Sequence, residues 1–297
     1  MDRTDRLEWS GRISTVVGRA EPPQPTPPGQ TGQTPPENRV AIAVTPEGDI
    51  YLVERLSRVV RRWEKKTGQL SVVAGTGAAG YSGDGGPGPQ AQMKEPHDCA
   101  LDGKGGLFIC DVADCRVRRL DLNTGILATY AGTGVRRHEG DGGPARAASL
   151  AGSRALAVNP KTGDVYICER EGNRVRKVDA RTGVITPLAG SGQKGYTGDG
   201  GPAAAATFNG PKGLACDLGG NLFVVDTENH AIRRVDASTG TISTVAGGRR
   251  GSEGDGGPAA AAGLNRPHGV CVGPDGALYI ADSENNRVRR VRPIAWT

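Results

Sequence analysis

Aromatic residues are scarce in this chain of 297 residues, 4% of the total, and it holds only two methionines and four histidines. With so few rings to stack on bases, a single-stranded nucleic-acid partner is not expected. No apolar run reaches 18 residues, so no membrane-spanning helix is expected. The first residues, MDRTDRLEWSGR, are charged and lack the apolar stretch of a secretory leader. The six cysteines, Cys99, Cys110, Cys115, Cys168, Cys216 and Cys271, form no CxxC pair and no metal-finger spacing. They read as reduced thiols of a cytoplasmic protein. Cys110 and Cys168, at matching places in successive repeats, read as small buried apolar groups.

What is abundant is glycine, 47 residues, with 20 prolines. Aperiodic Gly/Pro at that density would mean disorder, but here it recurs. GDGGP stands at 83–87, 140–144, 198–202 and 254–258, in steps of 57, 58 and 56 residues. A basic tract recurs five times with it: VRRW (60–63), VRRL (117–120), VRKV (175–178), IRRV (232–235) and VRRV (288–291). Before each comes a β-branched or aromatic run ending in an acid, at Glu54, Asp111, Glu169, Asp226 and Asp282. Runs of that length and composition between turn residues are strands.

One repeat reads as four antiparallel strands, here 211–217, 221–226, 231–236 and 241–247. Four short strands cannot bury both faces alone, so such sheets stack face to face around an axis. The N-terminal GRISTVVG (11–18) matches the outer strand TISTVAG (241–247), whereas the C-terminal repeat has three strands. The expected fold is therefore all-β, one five-bladed β-propeller domain over 1–297 closed by the N-terminal strand. Its blades run at about 38–75, 95–132, 152–190, 210–247 and 266–293 plus 11–18. The Pro-rich segment 19–37 takes the place of a GDGGP loop. Those loops read as structural, each followed by a short helical turn, since one Asp per loop cannot supply a calcium site.

LYIADSENNRVRRV (278–291) and LFVVDTENHAIRRVD (222–236), with GDGGPA before them, resemble NHL repeats. The resemblance covers about residues 11–293. It implies a propeller, and NHL propellers serve as enzymes, ligand sensors and protein- or RNA-binding platforms. Fold alone does not choose among these.

Within a repeat protein, a residue present in every blade serves the fold, and a column that varies is where function can be written. The basic column reads as a salt-bridged, solvated strand face, with a phosphate-binding belt as the alternative. The acid column, just before tight turns, reads as backbone-capping, with Asp111, Glu169, Asp226 and Asp282 also candidates to meet substrate at the rim. The column that opens each inner strand varies: Val40, His97, Arg154, Lys212 and His268. It predicts a cationic pocket at the channel mouth for an anionic small molecule, with His97 and His268 as acid/base groups and Arg154 and Lys212 as charge stabilisers. The bland alternative has these side chains at the solvent rim or paired with nearby acids. His230 stands in a turn column otherwise filled by Arg58, Cys115, Asn173 and Asn286, and is either a substrate contact or an Asn-like turn residue. His138 reads as surface.

EPHDCALD (95–102) and RPHGVCVG (266–273) resemble the Pro-His-x strand starts of the peptidyl-hydroxyglycine amidating lyase family. That resemblance implies zinc held by His97 and His268. The family uses three histidines, however, and Arg154 and Lys212 would repel a divalent ion, so no cofactor is expected. The function expected is a lyase, isomerase or cyclase of an anionic metabolite. The alternative is a non-catalytic scaffold for a protein or nucleic-acid partner. The net charge of +5 suits either.

Overall fold

The structure is a computed structural model that describes residues 12–18 and 39–292. The Pro-rich segment 19–37 lies outside those residues. Strand β1 (Ile13–Gly18) precedes five repeats. The first sheet holds β2 (Arg39–Val44), β3 (Ile50–Glu54), β4 (Val59–Trp63) and β5 (Leu70–Ala74). A two-residue strand, β6 (Gly86–Pro87), joins the outer edge of the second sheet, β7 (Pro96–Leu101), β8 (Gly106–Asp111), β9 (Arg116–Asp121) and β10 (Ile126–Ala131). The third runs β11 (Ser153–Val158), β12 (Val165–Glu169), β13 (Arg174–Val178) and β14 (Ile185–Ala189). The fourth is β15 (Gly213–Cys216), β16 (Leu222–Asp226), β17 (Ala231–Val235) and β18 (Ile242–Gly247). The fifth has three strands of its own, β19 (Gly269–Val272), β20 (Leu278–Asp282) and β21 (Arg287–Val291). The described residues contain no α-helix, and the fold is a five-bladed β-propeller.

The fourth strand of the fifth sheet is β1, antiparallel to β21 from Ile13↔Val291 to Gly18↔Arg287. Its register slips between Thr15 and Val17, as the register of β18 on β17 slips at Ile232/Arg233. Arg12 bridges Pro258 as Thr241 bridges Pro202. The N-terminal strand thus reproduces the ordinary outer strand, down to its bulge and its loop contact, and covers an edge that would otherwise expose unpaired N–H and C=O groups.

Packing divides the chain into two compact units, one of residues 1–23, 159–177 and 187–297, the other of 24–158 and 178–186. In the second unit, Tyr51, Val53 and Val60 of the first sheet pack on Leu107, Ile109 and Leu120 of the next. In the first unit, Phe223, Val225 and Ile232 pack likewise on Leu278, Ile280 and Val291.

The basic column departs from the solvated face expected. In each of four tracts the first arginine, Arg118, Arg176, Arg233 or Arg289, is fully buried, at most 1% exposed. Adjacent strand residues point to opposite faces, so the pair splits. Arg119, for example, stays half-exposed on Asp102 at 2.7 Å, while Arg118 turns inwards to Asp84 at 2.6 Å. Arg233 does the same with Asp199 at 2.7 Å, and Arg289 with Asp255 at 2.7 Å. Three of the GDGGP aspartates, Asp84, Asp199 and Asp255, are thus clasps for buried arginines. The flanking glycines have real work for φ > 0: Gly83 has φ +80°, and a Cβ there would stand 2.7 Å from the Ala91 Cα. Three-residue 3₁₀ turns follow the loops at 145–147, 203–205 and 259–261, as the Ala-rich stretches predict.

Candidate functional site

The acids that end the second strands are buried inside their blades. Asp111 accepts the backbone N–H groups of Lys94 (2.7 Å), Glu95 (2.9 Å) and Asp114 (3.1 Å). Asp226 accepts from Asn209 N–H at 2.8 Å and the Asn229 amide at 2.8 Å, and stands 3.5 Å from Arg233. Asp282 repeats that pattern with Asn265, Asn285 and Arg289, and Glu169 pairs with Arg176 at 3.3 Å. The geometry is that of loop-capping groups, and it places none of the four at a surface where a substrate would meet it. Burial is the cause that pushes Asp226 up to about 6, against the pull of Asn229, Asn209 and Arg233.

The turn column has one physical explanation. Arg58, Cys115, Asn173, His230 and Asn286 all adopt left-handed φ, between 47° and 55°, the conformation a tight turn needs before the third strand. His230 therefore has a turn role. Its Nδ1 also accepts the Arg266 N–H at 3.0 Å. Burial lowers its pKa, and the nearby Arg250 guanidinium adds to that.

The varying column resolves into two clusters, one in each unit. The Val40 side chain lies outside the described set. In the unit that holds the first two sheets, the His97 Nδ1 meets the Arg154 guanidinium and its Nε2 lies 3.3 Å from Glu95. Glu95 in turn holds Arg55 at 2.9 Å. His97 sits at the bulge where the β7 register slips between Pro96 and Asp98. The neighbouring Asp98 was not singled out above. It stands where the other blades carry Ala41, Ala155, Gly213 and Gly269. Its carboxylate accepts the N–H groups of Leu156 at 2.8 Å and Cys99 at 2.9 Å. Burial pushes it up to about 6 despite those bonds and Arg154.

In the other unit, Lys212 is buried and its Nζ lies 3.2 Å from the His268 Nε2 and 3.3 Å from Glu228. The Lys212 ammonium is pulled down by burial, and Glu228 offsets part of that. Glu228 is gripped by both arms of Arg266, at 2.9 and 2.8 Å, a bidentate geometry. Arg266 and then Lys212 hold it down to about 2. His268 is exposed, so the cluster opens to solvent at an imidazole. A cleft of about 780 Å³ lies beside it, lined by Arg170, Asn173, Lys194, Asn209 and Glu228. That volume suits a small molecule. Sequence reading missed Glu228 and Arg266 because acids and arginines are frequent in these turns, and only the fold brings the two together. A second cavity of about 660 Å³, lined by Ile126, Tyr130 and Arg146, contains none of the candidate site residues.

The donor set does not fit zinc. His97 presents one ring nitrogen to a guanidinium, and the His268 Nε2 is taken by an ammonium. Among the described residues no three His, Cys, Asp or Glu side chains converge as metal ligands.

Comparison with known proteins places this architecture. The NHL repeat model matches residues 264–291. A chloroplast protein of Arabidopsis thaliana, SUPPRESSOR OF QUENCHING 1, is 25% identical over 82% of this chain and 24% of its own length. The NHL repeat-containing protein 2 of Bos taurus is 26% identical over 81% of this chain and 37% of its own length. The chain thus spans a minor part of the curated relatives it matches. Among solved structures, an auxiliary nutrient binding protein of Bacteroides ovatus superposes with TM-score 0.64 at 15% identity, over 88% of this chain and 60% of the other. Virginiamycin B lyase of Staphylococcus aureus superposes with TM-score 0.52 at 16% identity, over 86% of this chain and 67% of the other. Such likenesses establish the fold. The class is thus the β-propeller, and within it the chain is similar to NHL-repeat proteins, with the NHL repeat itself matched in the last blade.

Proposed function

We propose that the protein binds an anionic small molecule beside Lys212 and His268 and acts on it by non-hydrolytic proton transfer, as a lyase, isomerase or cyclase. The observation that carries this reading is the Lys212 Nζ–His268 Nε2 contact of 3.2 Å, between a buried ammonium and an exposed imidazole. An incoming carboxylate draws the ammonium from the imidazole, and the released Nε2 takes a proton from the carbon next to that carboxylate. Lys212 and Arg266 then neutralise the charge that develops on oxygen. The proton returns from Nε2 to the leaving group or to a second carbon. Arg170 and Lys194 in the adjoining cleft supply further positive charge for the anion. Asp98, His97 and Arg154 form a separate acid/base cluster in their own unit, and no step is routed through them. No disulfide joins any of the six cysteines, which suits a reducing, cytoplasmic setting.

The test is a thermal-shift screen of di- and tricarboxylates and phosphorylated metabolites, run on the wild type, Lys212→Met and His268→Ala. A compound that stabilises the wild type and neither variant supports the site. Stabilisation retained in both variants, or seen with none of the compounds, removes it. Turnover by the wild type alone, followed as loss of the bound compound, decides between an enzyme and a binding protein.

A further inference from the structure

The outer strand of the second sheet borders a cavity that the Lys212–His268 site does not use. It holds about 660 Å³, within the range of small-molecule sites. Every residue that lines it belongs to the unit of residues 24–158 and 178–186. One wall is β10, with Ile126, Ala128 and Tyr130, and the bulge between Thr129 and Ala131 falls on Tyr130. A bulge re-aims the side chain it carries. The facing wall is the GDGGP loop that follows and its 3₁₀ turn, with Pro144, Ala145 and Arg146.

Two columns of the repeat break their rule at this place. The residue two before the glycine that closes each outer strand is Val16, Val73, Leu188 or Val245 elsewhere, and Tyr130 here. The second residue after the loop proline is Pro89, Ala204 or Ala260 elsewhere, and Arg146 here. A smaller apolar group in either column satisfies the fold in the other blades, so neither the phenol ring nor the guanidinium is required for folding. Tyr130 is braced by the buried Phe108, with ring centroids 4.6 Å apart and planes tilted by 57°. The other charges on the walls are already paired. Arg119 holds Asp102 at 2.7 Å and stands 3.6 Å from Asp121. Asp121 accepts the N–H groups of Asn123 and Thr124 and the Thr124 hydroxyl, at 2.9 to 3.1 Å. The Thr124 N–H and hydroxyl hold its carboxyl below the usual carboxylate range. Arg146 is exposed, and among the described residues no acid pairs with its guanidinium.

We propose that this cavity is a binding site for an aromatic carboxylate. Its ring lies against Tyr130, Ile126 and Pro144, and its carboxylate takes the Arg146 guanidinium. A planar fork of N–H donors matches a carboxylate in two parallel hydrogen bonds, and a braced aromatic ring offers a flat apolar partner to another ring. A neutral ring leaves Arg146 without its counter-charge. A cation meets two guanidiniums and an acid that is already bonded. The site is independent of the Lys212–His268 cluster, and no reaction is assigned to it.

The probe is 2-naphthoate, titrated into the full chain by isothermal titration calorimetry, with 2-naphthamide as its neutral counterpart. Tyr130→Val and Arg146→Ala each install the residue that other blades carry, so both variants are expected to fold, which circular dichroism checks. The wild type is expected to bind naphthoate saturably and naphthamide about tenfold more weakly. Arg146→Ala is expected to bind the two probes alike, at the weaker affinity. Tyr130→Val is expected to weaken both by about fivefold, and Lys212→Met to bind as the wild type does. No saturable binding below about 1 mM, equal binding of the two probes by the wild type, or unchanged naphthoate binding by Arg146→Ala overturns the proposal. Binding lost in Lys212→Met and kept in Arg146→Ala assigns the naphthoate to the other site and overturns it too. Should Tyr130→Val fail to fold, the comparison of the two probes on the wild type and on Arg146→Ala decides alone.

Discussion

Neighbouring arginines on one strand carry opposite energetic weight, and replacing each by methionine measures the difference. Arg233 is fully buried. Its guanidinium holds Asp199 at 2.7 Å, two loop carbonyls at 3.1 and 3.3 Å, and lies 3.5 Å from buried Asp226. Methionine fills a similar volume but leaves these acceptors without their donor. Breaking one side of a buried pair costs about 3–5 kcal/mol. Arg234 faces out on Asp236 at 2.8 Å, where loss of a surface pair costs about 0–1 kcal/mol. For a chain of this length 3–5 kcal/mol is a fall of roughly 5–8 °C in Tm. Thermal and urea unfolding followed by circular dichroism are expected to show that fall for Arg233→Met and less than about 2 °C for Arg234→Met. Equal shifts in the two variants would refute the claim that strand alternation divides this column into a structural face and a solvated one.

Four further outcomes are expected. Gly83→Ala and Gly85→Ala share φ near +80°, but only the first meets backbone. The first is therefore expected to cost clearly more than the roughly 1 kcal/mol of left-handed strain in the second, as read by urea midpoints. Asp98 titrates at about 6 in the folded protein against 3.8 as its ordinary value. The folded state thus holds a proton the unfolded state has released, and the contribution of Asp98 is fully present below about pH 4 and is lost as pH rises through 6. Asp98→Asn is expected to flatten that fall, on the order of 3 kcal/mol, and an unchanged pH profile would contradict the assignment. Glu228, held down to about 2, contributes in the opposite sense: its stabilisation is present above pH 4.5 and disappears as pH falls towards 2. Glu228→Gln should therefore lower the urea midpoint at pH 7 and leave it unchanged at pH 2. Elemental analysis of the wild type and of the His97→Ala, His268→Ala double variant is expected to show no stoichiometric zinc in either. One zinc per chain, lost in the double variant, would overturn the charge argument.

The repeat period, the strand positions and the missing outer strand of the last blade were legible in the sequence, because they rest on local pattern: alternation, turn residues and self-similarity. The turn column was legible for the same reason, since Asn173, His230 and Asn286 occupy one slot whose backbone geometry the repeat imposes on every blade. The varying column of His97, Arg154, Lys212 and His268 could be aligned, but not what each residue touches. Burial of Arg118 and Arg233 depends on aspartates 34 residues upstream coming beneath them. The Glu228–Arg266 grip joins residues 38 apart from successive repeats, and the raised pKa of Asp98 follows from the strand that covers it. Sequence by itself determined which backbone each residue joins. Only tertiary structure decided which charges are desolvated and paired, because desolvation is set by neighbours distant in the chain.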